Sequence, residues 1–262
     1  GIRFCLGFGF VDCAVFVIYL YQLPRGACIN QAESPEESGN PYYLIWIIPA
    51  EEKTMRNTEQ LHGLHVLTDR KIIEPRPLLE VVEFVIEGGA SVIQLRDKNA
   101  SDEEMIALGL EILKLTAGSI PLIVNDGVNV ARAIGADGVH VGQKDMPAVE
   151  VRKIIGKNMI IGVSANTVKE AIRAEKDCSD YLGVGPVFPT PTKTDADPPI
   201  GLRGLLDIRN AVSLPIIAIG GIKIRNAPQV MQIADGIAVI SAVLSAKNPL
   251  LATQKLSIII KG

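Results

Sequence analysis

Arg96 and Lys98 stand two residues apart, Lys193 follows a Pro-rich stretch, and Asp126 and Asp145 come after separate apolar runs. That set suits a magnesium-bound diphosphate better than acid–base chemistry. Guanidinium and ammonium groups neutralise phosphate oxygens, while carboxylates hold a hard cation that keeps several of its waters. Other polar residues end short hydrophobic runs in the same way. Gln94 precedes Arg96 in Gln94-Leu95-Arg96-Asp97-Lys98, Asn125 precedes Asp126, Ser164 follows Ile161-Gly162-Val163, and Thr190 and Thr192 precede Lys193.

A run that is apolar until it stops on a charge reads as a parallel strand buried on both faces, its carboxyl end open to a site. Eight such runs occur, at Leu64–Thr68, Ser91–Leu95, Leu122–Asn125, Gly138–Val141, Ile160–Val163, Tyr181–Val184, Ile216–Ile219 and Ile237–Ile240. Segments with apolar residues at helical spacing lie between them, among them Pro77–Glu87, Asp102–Leu115 and Val168–Lys176. Eight alternating pairs predict an α/β fold, the TIM (β/α)8 barrel.

A doubly wound open sheet would place a Gly-rich phosphate loop after its first strand, where this chain has Leu67-Thr68-Asp69-Arg70. Gly220-Gly221 and Ser241-Ala242 instead follow the seventh and eighth runs, where barrels bind phosphate. Ser101 with Glu104 forms a capping-box pattern, and Pro77 and Pro147 fit first helical turns.

On a strand, Gln94, Arg96 and Lys98 would point together into the barrel mouth and Leu95 toward the helices. Asp97 is read as a surface or supporting charge. His65 and His140 lie within strands and depend on register to reach the interior; a lone strand His is more often packed than catalytic. The stretch from Phe188 to Ile200 holds Pro189, Pro191, Pro198 and Pro199 and reads as a lid that would bring Lys193 over the diphosphate.

The chain has 262 residues, 48% of them apolar, and a net charge of -3. It can bury one sizeable core and has no basic excess that would mark nucleic-acid binding. Three of its cysteines, Cys5, Cys13 and Cys28, precede the patterned region and only Cys178 lies within it, which excludes a disulfide framework there and fits a cytoplasmic setting. Residues 1–54 look foreign to the rest. The apolar run Phe4–Leu23, interrupted by Asp12, has three readings: sequence upstream of the true start, a targeting or membrane segment, or a core helix. Residues 55–262 are expected to form the barrel.

Taken in order, Gln94-Leu95-Arg96-Asp97-Lys98, Asn125-Asp126, Gly142-Gln143-Lys144-Asp145, the run Gly183–Lys193 and Ile240-Ser241-Ala242 match a known pattern. From Leu64 to Pro249 the chain resembles the thiamine phosphate synthase family, which joins an aminopyrimidine diphosphate to a thiazole phosphate. The resemblance implies that Gln94 and Asn125 hydrogen-bond the aminopyrimidine, and that Arg96, Lys98, Ser164 and Lys193 contact the diphosphate. It implies Mg2+ on Asp126 and Asp145, and thiazole phosphate among Thr190, Thr192, Gly221, Ile240 and Ser241. His65 stands where the family would place a Tyr near the pyrimidine.

Two other functions are weighed. A thiazole tautomerase of the same fold would carry a proton-shuttling His just after the fifth strand, where this chain has Ser164-Ala165-Asn166-Thr167. A non-catalytic phosphate-ligand binder would have no need of Asp126 and Asp145. The expected partners are small-molecule substrates and not nucleic acid. A membrane enters only if the N-terminal apolar run is real, and self-association is left open.

Overall fold

The computed structural model describes residues 61–192 and 197–261. Contacts divide the chain into Gly1–Pro49 and Ala50–Gly262, and every described residue belongs to the second unit. The division expected between 54 and 55, the run Phe4–Leu23 and Lys193 lie outside the described residues. Among the described residues no helix is long and apolar enough to cross a membrane.

Eight strands close a barrel in chain order: β1 (Gly63–Leu67), β2 (Val92–Leu95), β3 (Leu122–Asn125), β4 (Gly138–Val141), β5 (Ile160–Ala165), β6 (Tyr181–Val184), β7 (Ile216–Ile219) and β8 (Gly236–Val239). Every neighbouring pair is parallel, and β8 returns to β1 with Ala238 opposite His65. The helices are α1 (Arg70–Ile73), α2 (Leu78–Glu87), α3 (Asp102–Thr116), α4 (Val128–Ile134), α5 (Ala148–Ile155), α6 (Val168–Lys176), α7 (Gly201–Arg209), α8 (Ala227–Met231), α9 (Ser241–Leu244) and α10 (Pro249–Lys261).

Period-two alternation splits seven of the strands between two apolar layers, while β4 sends only Val139 and Val141 to the outer one. Leu67, Val92, Ile123, Ile160, Tyr181, Ile217 and Ala238 fill the barrel interior. Leu64, Ile93, Leu95, Leu122, Val124, Ile161, Leu182, Ile216 and Ile237 join the layer packed under the helices. Leu95 faces outward as expected, close to Gly109 of α3 and Ile134 of α4. Both faces exclude water, so a side chain that aims inward meets either this packing or the mouth.

Helix starts follow local chemistry. Ser101 and Glu104 exchange capping-box hydrogen bonds at α3, and Thr167 and Glu170 do the same at α6. Pro77 and Pro147 occupy the N-cap positions of α2 and α5, one residue earlier than the expected first turn, with extended ψ of 133° and 142°.

One arrangement repeats at the amino ends of the strands. The residue ahead of each even-numbered strand accepts a hydrogen bond from the start of the odd-numbered strand before it. Ser91 Oγ accepts from Leu64 N (3.2 Å), Asp137 Oδ2 from Leu122 N (2.8 Å), Asp180 Oδ2 from Ile161 N (2.8 Å) and Asp235 Oδ2 from Ile216 N (2.7 Å). Arg152 of α5 lies 2.7 Å from Asp180 and also donates to the carbonyls of Gly156 and Met159. Arg209 of α7 lies 2.8 Å from Asp235 and donates to Val212 and Leu214. Side chains thus satisfy strand-end donors that the ladder leaves over.

Candidate active site

The carboxyl ends of β2, β3, β4 and β5 bring Gln94, Arg96, Asn125, Asp126, Asp145 and Ser164 to one rim. Gln94 and Arg96 are buried, Asn125 and Ser164 are half-buried, and Asp126 and Asp145 are exposed. The rim therefore grades from an enclosed polar floor to solvated carboxylates.

Arg96 is fixed from two directions. Thr68 Oγ1 accepts from Arg96 N at 2.8 Å and donates to Arg96 O at 2.9 Å, which stitches the end of β1 to the end of β2. The guanidinium donates to Asp69 Oδ2 at 2.8 Å. The strand stops at Leu95, and Asp97 Oδ1 accepts from Asn99 N in an Asx turn that ends the extended backbone. Lys98 accordingly sits in the turn, not on the strand as the period-two reading had it. Of the two readings of Asp97, the supporting one fits the structure: its carboxylate is largely covered and pairs with Arg70. Burial pushes its pKa up, but hydrogen bonds from Asn99 N–H, Arg70 and Ala100 N–H outweigh that and hold the carboxyl below its ordinary value.

Asp126 has φ 63°, the left-handed region that a short polar side chain tolerates. Its N–H donates to His140 O at 2.8 Å, and its carboxylate accepts from Asn125 Nδ2 at 2.5 Å. Asp145 Oδ2 accepts from Gly142 N at 2.7 Å.

Behind this rim lies a hydrogen-bonded line that sequence reasoning missed. His140 Nε2 is 2.9 Å from Ser164 Oγ, and His140 Nδ1 is 3.0 Å from the Tyr181 hydroxyl. Tyr181 is fully buried, and that burial pushes its pKa well above the ordinary tyrosine value, so the hydroxyl stays protonated. Two glycines make the space: a Cβ at Gly162 would stand 2.2 Å from Tyr181 Cζ, and one at Gly183 would stand 2.7 Å from His140 Cε1. Gln143 adds a brace, donating to Ser164 O at 2.6 Å and accepting from Arg173 at 2.8 Å.

His65 is buried deeper, its ring 5.7 Å from that of Tyr181. Its Nε2 donates to Leu61 O at 2.7 Å, and burial pushes its pKa down to about 4, against a smaller opposing effect of that bond. Nδ1 has no hydrogen-bond partner among the described residues.

On the opposite rim, Val187 N and Phe188 N donate to Ile219 O and Gly220 O, which fastens the β6 loop to the β7 loop. Gly221 has φ 65°, and a Cβ there would stand 2.6 Å from Pro189 O. Thr192 Oγ1 donates to Ser241 Oγ at 3.2 Å, and Ile240 precedes α9. Thr190, Thr192, Gly221, Ile240 and Ser241 therefore gather around the ends of β6, β7 and β8. Of the lid expected across Phe188–Ile200, residues 193–196 lie outside the described residues.

A family profile described as thiamine monophosphate synthase matches residues 64–243. The chain belongs to this family. The thiamine-phosphate synthase of Roseiflexus castenholzii is 51% identical over 195 residues, 74% of this chain and 86% of that protein. That of Chloroflexus aurantiacus is 52% identical over 195 residues, 74% of this chain and 90% of its own. A solved structure of thiamine phosphate pyrophosphorylase from Pyrococcus furiosus superposes with a TM-score of 0.72 at 43% identity, covering 78% of this chain and 98% of that one. The matches span the barrel and both halves of its rim.

Within this thiamine monophosphate synthase family fold, the carboxylate pair can be weighed as a cation site. No cluster of three His, Cys, Asp or Glu side chains occurs among the described residues. Two solvated carboxylates on adjacent strand ends, each steadied by a hydrogen bond, still match a magnesium ion that takes its remaining ligands from water and substrate phosphates. After β5 the chain offers no His, and Asn166 N and Thr167 N instead donate to Glu170.

Proposed function

We propose that this chain joins 4-amino-2-methyl-5-pyrimidinylmethyl diphosphate to hydroxyethylthiazole phosphate, giving thiamine phosphate and diphosphate. The observation that carries the reading is the division of the mouth. Gln94, Arg96, Asn125 and Ser164 line one side with the two carboxylates, and the β7 and β8 loops, tied in by Thr192 and Ser241, form the other. One side suits a diphosphate with a polar heterocycle, and the other suits a phosphate monoester.

The reaction is read as dissociative. The methylene carbon–oxygen bond breaks, and its electron pair leaves with the diphosphate. The resulting pyrimidine cation is stabilised by its own amino group, and the thiazole nitrogen then donates its lone pair to form the new carbon–nitrogen bond. Preorganised cations aimed at the departing charge suffice for catalysis, with no strong general base. Arg96 would meet the diphosphate from its fixed position beside Asp69, Ser164 would donate from β5, and Lys98 and Lys193 would add charge from the loops. Asp126 and Asp145 would hold Mg2+, which when bound supplies Lewis-acid stabilisation of the leaving group.

The test is to incubate the full chain with both substrates and Mg2+, with and without EDTA, and to measure thiamine phosphate. Product that disappears with EDTA is expected. No product from folded protein would overturn the reading.

A further inference from the structure

Resting on the function just proposed, we propose that Tyr181 is a positioning residue that sets the direction of one hydrogen-bond line, Tyr181–His140–Ser164, so that Ser164 is left to donate to the diphosphate. The line crosses the interior, with its members on β6, β4 and β5. Each link has two possible directions, and the links are coupled because a neutral imidazole has one donor and one acceptor nitrogen.

In one direction the tyrosine hydroxyl donates to His140 Nδ1, and His140 Nε2–H donates to Ser164 Oγ. The Ser164 proton is left to point outward, where a diphosphate oxygen accepts it. In the reverse direction Ser164 spends its proton on His140 and shows lone pairs to an anion. Only the first direction complements the diphosphate.

Three features support a built relay. Tyr181 and His140 are buried together, so neither end of their bond is shared with bulk water. Gly162 and Gly183 hold open the volume the two rings occupy, since a Cβ at either position would overlap them. The two rings also pack against each other at 5.4 Å, tilted by 42°, which restrains the imidazole as well as hydrogen-bonding it.

Two measurements test the relay, and neither needs turnover. The 15N spectrum of the wild-type chain should show His140 protonated at Nε2, its signal assigned with H140Q among the three histidines. A His140 protonated at Nδ1 would overturn the proposal. Binding of inorganic diphosphate with Mg2+, followed by calorimetry, should weaken about tenfold in Tyr181→Phe, the scale of one hydrogen bond to a charged group. It should weaken no further when Tyr181→Phe is added to Ser164→Ala. Losses that add in full would mean that Tyr181 acts through general packing, and would also overturn it. Failure to form thiamine phosphate with the relay intact would count against the function, not against the relay.

Discussion

Arg96 and Asp69 form a salt bridge at 2.8 Å across the ends of adjacent strands, with most of both side chains withdrawn from water. A guanidinium left to rotate would present its donors in many orientations. Bound at one nitrogen, and with its backbone clamped by Thr68, it presents the rest in one. Asp69→Asn keeps the shape but removes the charge. It should lower kcat/KM for the pyrimidine diphosphate by roughly 10-fold to 100-fold, the worth of a charge-assisted hydrogen bond, and leave KM for thiazole phosphate nearly unchanged. Steady-state kinetics with each substrate varied in turn would check it.

His65 should make stability depend on pH. Its pKa is about 4 when folded and 6.5 ordinarily, so between those values the unfolded chain binds the extra proton. Stability is then full above about pH 6.5 and falls as the pH drops toward 4, by up to ~3 kcal/mol from this group. Urea unfolding at pH 7 and pH 5 should show the loss in the wild type, and His65→Phe should flatten it.

Gly162→Ala should act on the site through packing. Its Cβ would stand 2.2 Å from Tyr181 Cζ and 2.4 Å from His140 Nδ1, and neither ring has room to retreat within the filled barrel. Overpacking of this kind costs about 1–3 kcal/mol. The urea midpoint should fall, and turnover with it, because the crowding falls on the Tyr181–His140 hydrogen bond.

Asp180→Ala removes the acceptor for Ile161 N and the partner of Arg152 in one step. Leaving a covered guanidinium without its counter-charge, held only by backbone carbonyls, should cost about 3 kcal/mol. Asp235→Ala breaks the equivalent pair where both side chains are more exposed, so its loss should be smaller. Thermal melting of the two variants side by side would rank them.

Much of the barrel was legible in the sequence because a parallel strand covered on both faces needs an unbroken apolar run and ends where its cover ends. Six of the eight strands begin or end on the residues read from the sequence. The largest misplacement at the site, Lys98, came from extending alternation past Leu95, where Asp97 captures Asn99 N and turns the chain. Gln94 and Arg96 were legible because they precede that turn. Tyr181 and His140 were not, because a polar residue on a strand shows its register but not what faces it across a closed barrel. The signal lay in Gly162 and Gly183, small residues on neighbouring strands whose missing side chains leave room for two rings.

The four ties at the amino ends of the strands bridge only 27, 15, 19 and 19 residues of sequence. Each pair of strands therefore completes its own closure locally, with short-range contacts that are quick to form. None of these ties reaches the opposite rim, so the chemistry there can be rewritten without loosening the ring. Backbone bonds on the same rim, Ile160 N to Asp137 O and Gly63 N to Asp235 O among them, join each pair of strands to the next, so the ring is fastened all the way round at the end that does no chemistry.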